Sequence, residues 1–451
     1  MIRRAAGAIA LLVLGTSPAF AHSAARGFVL LLPTAHVIVA GALAVLVSFA
    51  VVSLLLDRLF RRTPDADYGF VHGSRRAIRT LSFISANVLV LLIWIGLAGP
   101  HDPLENMLVL GIWTLWWVVI VLLHPLLGNL WGGLNPFAWI APAAGRCVLP
   151  RWLHYNPALL IFAAFAWFQL VYPAPEDPPR LALVVSAYAA LTLAATFVFG
   201  IDWLRYADPF AIFLRQLGAA TPLGFTKLRL PGAGLLYLAP LPLAGVLFVL
   251  MTLASISFDG LSHTFFWLSA LGHNPLEYPG RTALIGANTA GLLGVFLLLA
   301  SAFTATVVLG WLWAGRPQQL QFWFGRYVYS LIPISIAYHF AHYLSDALLN
   351  MQYLVLALND PFGTGAQLLG IESFHVTASF QNTASGAMAL YSAQTTAIVA
   401  GHVIGVSVAH AMAMELGLPR GRALRLDAPL ALFMVFYTGF GLWLLATPTA
   451  N

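Results

Sequence analysis

A bundle of membrane-crossing α-helices is the fold class this sequence predicts, and three observations predict it. Of 451 residues, 60% are hydrophobic and only 8% charged, where a soluble domain carries about 25% charged residues. The apolar residues come in long runs, and crossing a bilayer takes about 20 of them. Fourteen Trp and thirty Phe suit the aromatic belts of membrane interfaces. A soluble fold is excluded, and no nucleic-acid motif or contiguous basic patch is present. The single Cys147 rules out an intramolecular disulfide.

In chain order, Arg3-Arg4, the apolar run from Ala8 to Gly15 and Ser17-Pro18-Ala19-Phe20-Ala21 have the three parts of a secretory signal peptide. Cleavage divides the chain into 1–21, which is removed, and 22–451, a single integral-membrane helical domain that begins at His22. There the free amino group and the imidazole could chelate a metal together.

Ten spans are then predicted, at approximately 30–57, 79–99, 106–127, 157–173, 181–202, 233–256, 283–313, 326–356, 388–414 and 429–447. Basic residues concentrate in every second connection: Arg58 to Arg79, Arg146 and Arg151, Arg205 to Arg229, Arg316 and Arg326, and Arg420 to Arg425. These hold seventeen of the 22 basic residues, leaving only Arg26, Arg180 and Arg281 on the opposite side of the mature chain. The positive-inside rule therefore places both mature termini outside, in the periplasm, and the bundle in a bacterial inner membrane. Two segments, Asn135-Pro136-Phe137-Ala138 and Asp208-Pro209-Phe210-Ala211, repeat a pattern of capping residue followed by Pro, so each predicts a short helix at the inner surface.

The eighth span carries a polar stripe. At 100° per residue His339, His342 and Asp346 fall within about 60° of one another, with Ser335, Asn350 and Tyr353 extending the face. Ionisable groups inside a bilayer are costly and face a partner or a cavity. The ninth span offers one, because His402 lies beside the small-residue ridge Gly401-x-x-x-Gly405 and Ala409, over which helices approach closely. By rise per residue all three histidines lie toward mid-membrane, with Asp346 nearer the outer surface and His410 nearer the inner one. Three readings follow. Histidines with Asp346 would hold a divalent transition metal, Zn, Cu, Fe or Mn; facing histidines would hold a haem; or the same groups would lock the bundle by hydrogen bonds.

Taken together, the segment ending before His22, Asn135-Pro136, Phe258-Asp259-Gly260-Leu261-Ser262, Ala341-His342-Tyr343, Asp360-Pro361, Ala400-Gly401-His402, Ala409-His410 and Tyr437 to Leu445 resemble a family of bacterial polytopic membrane proteins labelled fenitrothion hydrolases. The resemblance implies a membrane-bound enzyme that hydrolyses lipophilic organophosphorus esters, with a second subunit as partner. It carries over His342, His402 and His410 as the better metal-ligand set, whereas His339 does not match a family position; from the residues themselves His339 and His22 remain candidate ligands and Asp346 the candidate catalytic residue. A redox-complex subunit binding haem or copper and a proton or metal-ion transporter are the rival classes.

Overall fold

The structure is a computed structural model that describes residues 34–55, 75–141, 145–223, 228–371 and 373–450. The signal peptide and His22 lie outside the described residues. Among the described residues the chain is helical with no strand, and its only β pairings are two isolated bridges, Leu223 with Leu228 and Thr264 with Thr449.

Ten principal helices follow one another: α1 (Thr34–Leu55), α2 (Arg75–Ala98), α3 (Met107–Leu127), α4 (Asn156–Leu170), α5 (Pro178–Phe199), α6 (Leu243–Ser262), α7 (Arg281–Trp313), α8 (Ile332–Asn359), α9 (Ala384–Glu415) and α10 (Arg420–Ala446). Eight of them are long and apolar enough to cross a membrane; α4, at 15 residues, and α8 are not among the eight. The chain is an all-α, multi-pass membrane bundle.

Burial sorts the helices into two groups. Large apolar side chains on α1, α2 and α7, such as Val47, Val90 and Leu298, are exposed, as expected where lipid takes the place of water. Helices α6, α8 and α9 are packed on most sides. Phe248, Phe258, Leu331, Ile334 and Val408 are fully buried there. The polar residues of the sequence therefore end up at the centre.

Three local differences from the predicted elements are found. The sixth span does not occupy 233–256, because Pro240 and Pro242 stop a helix from continuing through them. Helix α6 starts at Leu243 and runs to Ser262, which draws Asp259 into the helix. Of the two repeated segments, Asp208 does cap a helix, Pro209–Ala219, accepting from the Ala211 amide at 2.7 Å. Asn135 accepts from Phe137 N at 2.9 Å but opens only a turn. In α3, Leu110–Ile120 is wound as a wide π-helix, a form rare in proteins and associated with functional sites.

The predicted ridge on α9 is a close contact with α8. A side chain on Gly401 would stand 2.7 Å from the Pro333 carbonyl oxygen, and one on Gly405 would stand 2.6 Å from that of Ser330. Glycine at both positions is what lets the two backbones meet.

Candidate functional site

Helices α6 and α8 each carry an acid and a histidine four residues apart: Asp259 with His263, and His342 with Asp346. Four residues is about one turn, so each pair shares a face. All four line one cavity of about 520 Å³. Its lining includes Pro175, Glu176, Arg281 and Thr449 from helix ends and connections, and the buried Tyr338 and Ile398 from α8 and α9. Trp113 and Trp117, from the π-wound part of α3, add an aromatic side.

Asp259 is the centre of the site. Its Oδ2 lies 3.1 Å from His342 Nε2 and accepts the Tyr343 hydroxyl at 2.6 Å. Gln169 Nε2 in turn donates to that hydroxyl at 2.7 Å, fixing its direction. His263 Nδ1 stands 4.0 Å from Asp259 Oδ1 and 3.1 Å from the Asp259 carbonyl oxygen. Asp346 interacts electrostatically with His342, Asp259 and His263. A carboxylate in a membrane-spanning helix is tolerable when charge and donors compensate it, and Asp259 has both. The His342 and His263 side chains are 31% and 32% exposed, so the paired groups meet the cavity instead of being sealed in the core.

The other predicted ligands point elsewhere. His339 donates through Nε2 to the Trp117 carbonyl at 2.7 Å, which anchors α8 to α3. His402 uses Nδ1 on the Ile398 carbonyl of its own helix at 2.8 Å and packs beside the stacked rings of Tyr338 and Tyr437. His410 pairs through Nδ1 with Asp427 of α10 at 2.7 Å. His339, His342 and His402 thus have three separate sets of partners. The reason lies in helix rotation: Ala337 packs against Gly401, and His339, two residues on, is turned about 200° away from that contact. The stripe faces α3 and α6, and α9 sits behind it.

Among the described residues no three His, Cys, Asp or Glu side chains are gathered as the ligands of one metal ion would be. By donor type, His263 and His342 with Asp259 and Asp346 are a set that suits a divalent transition metal, and Glu176 also lines the cavity. The set expected across the eighth and ninth spans does not converge.

Two buried carboxylates were outside the expected set. Asp259 reads in sequence as a cap or turn residue, and Asp427 as part of a charged connection before the last span. The two i,i+4 acid–histidine pairs were the available signal for Asp259. For Asp427 the signal was weaker: an acid seven residues into a helix whose remainder is apolar.

Comparison of the chain with protein-family models, with curated proteins and with solved structures finds no match.

Proposed function

We propose that this cavity is the active site of a membrane-embedded hydrolase acting on lipophilic esters at the periplasmic side of the inner membrane, with organophosphorus triesters the substrate class to which the sequence resemblance points. The observation that carries the reading is the 3.1 Å approach of His342 Nε2 to the Asp259 carboxylate inside a cavity large enough for a small ester. An imidazole held by a carboxylate through one nitrogen presents the other as a general base. Here the second nitrogen, Nδ1, lies 4.0 Å from where a side chain on Gly260 would begin, so the absent side chain leaves space beside it.

The chemistry runs as a single displacement. Nδ1 of His342 takes a proton from water as the water oxygen bonds to phosphorus, and the bond from phosphorus to the leaving oxygen breaks. Asp259 holds the tautomer and stabilises the imidazolium, which returns its proton to the leaving group or to solvent. Trp113 and Trp117 supply the apolar wall that a lipophilic ester requires.

A second reading has its own observation, the two facing acid–histidine pairs. Asp259, His263, His342 and Asp346, which do not gather as one ligand set among the described residues, would have to close together to hold a divalent cation, and such a cation lowers the pKa of bound water toward 7.

The test is turnover of a chromogenic phosphotriester by the full chain in detergent. Wild type is expected to turn over, and His342→Ala and Asp259→Asn to lose about 10²–10⁴-fold, the range of a general base. Absence of wild-type turnover across alkyl and aryl triesters overturns the substrate class. Undiminished turnover in both variants overturns the site. Metal content decides between the readings: a stoichiometric metal, lost in His263→Ala, selects the second.

A further inference from the structure

Below the cavity, α9 carries two imidazoles that the hydrolytic reading does not use. His402 is 0% and His410 2% exposed. Each is tied at Nδ1, the first to a carbonyl oxygen at 2.8 Å and the second to a carboxylate oxygen at 2.7 Å. A carbonyl oxygen only accepts, so Nδ1 of His402 carries the hydrogen, and the neutral ring presents a lone pair at Nε2. The Nε2 atoms of both rings are buried without a hydrogen-bond partner. Orphaned polar atoms at such depth call for an explanation, and an ordered water is the usual one.

The surroundings make these atoms a series. Ile398, whose carbonyl holds His402, and Tyr338, whose ring lies 5.9 Å from His402, both line the cavity and are themselves buried. His410 is eight residues further along α9, about 12 Å by helical rise, and five residues from the helix end at Glu415. Asp427, its partner, also accepts the Tyr327 hydroxyl and is itself near the start of α10.

Among the described residues no charged group acts on His402. Its neighbours are Tyr338 from α8 and Tyr437 from α10, and both hydroxyls are engaged, Tyr338 with the Tyr437 carbonyl and Tyr437 with Ser257 of α6. Around His410 the facing groups are Asp427 and Tyr327, with the Arg326–Glu415 ion pair at 2.6 Å closing the end of the bundle.

We infer that His402, His410 and Asp427 are successive stations of a water-linked proton path from the cavity to the opposite end of the bundle, and that the protein conducts protons. A proton arriving at Nε2 of His402 forms imidazolium and leaves from the same atom to water. At His410 a proton binds Nε2 while the Nδ1 proton passes to Asp427 Oδ2. The resulting carboxylic acid releases it toward the Glu415 end, and rotation of the neutral ring restores the starting tautomer. The two lone pairs without donors are where the linking waters bind. Conduction does not depend on ester hydrolysis, and either activity can fail without the other.

The experiment is potential-driven proton uptake by the full chain in liposomes. A potassium gradient with valinomycin sets the potential, and a trapped pH-sensitive dye reads the lumen. Wild-type vesicles are expected to acidify at least tenfold faster than empty ones. Asp427→Asn keeps the shape and acceptor of the carboxylate but cannot take the proton, so its rate should fall to that of empty vesicles. His402→Gln should do the same, and His375→Ala, an exposed residue in the connection between α8 and α9 and outside the path, should match wild type. A wild-type rate equal to that of empty vesicles, or an undiminished rate in folded Asp427→Asn, overturns the path. Those results leave the two rings as structural water sites.

Discussion

Asp208 shows how one buried carboxyl makes stability depend on pH. It caps the helix Pro209–Ala219 and accepts the Tyr188 hydroxyl at 2.6 Å, yet burial pushes its pKa from 3.8 up to about 6. The fold thus favours the protonated form. Its stabilising contribution is complete below the unfolded-state value of about 4 and is lost as pH rises through about 6. Asp208→Asn keeps the cap's acceptor without the charge. The thermal midpoint in detergent should therefore fall between pH 5 and pH 8 in wild type, and fall less in the variant. Equal slopes would show that the carboxyl is already compensated. Asp259 illustrates a different solution to burial, because its compensation comes from His342 and Tyr343, residues adjacent in sequence on another helix.

At the scale of elements, the contact of α8 with α9 is set by the absence of side chains. Gly405→Val would press its Cβ to within 2.6 Å of the Ser330 carbonyl oxygen, and overpacking of this kind costs about 1–3 kcal/mol. The variant should show a lower thermal midpoint by fluorescence-monitored unfolding, and a variant as stable as wild type would mean that the helices separate freely. This contact was legible from the spacing of Gly401, Gly405 and Ala409. The partners of the α8 stripe were not. Periodicity says which residues share a face, but a 60° stripe is wide enough to address two neighbouring helices, and rotation about the helix axis is fixed only by packing. His339 and His342 therefore bond to α3 and α6 respectively, and the predicted meeting with His402 does not occur. Asp259 was hidden for another reason. Its position inside α6 depends on where Pro240 and Pro242 let that helix begin.

At the scale of the whole molecule, the helical class and most helices were readable, because runs of about 20 apolar residues have few alternatives to spanning a bilayer. Orientation rests on the arginine pattern and has a direct measurement. Cys147 is the chain's only cysteine and is exposed. It lies in a connection that the positive-inside rule places in the cytoplasm. A membrane-impermeant maleimide should leave it unlabelled in intact spheroplasts and label it in inverted vesicles. Labelling in spheroplasts would reverse the topology and turn the cavity toward the cytoplasm.

The π-wound stretch of α3 has a consequence for how this cavity can change. A π turn contains one residue more than the α turn it replaces, so deleting a single residue between Leu110 and Ile120 lets α winding resume. The turns on either side keep their facing, because an α turn closes the same circle with one residue fewer. Trp113, Thr114, Trp117 and Val118 all belong to the rewound stretch and to the cavity wall, so the spacing of these side chains along the wall would change. The shape of the pocket is thus linked to the length of one helix, and an in-frame codon loss could alter which molecules fit without any change to Asp259 or His342.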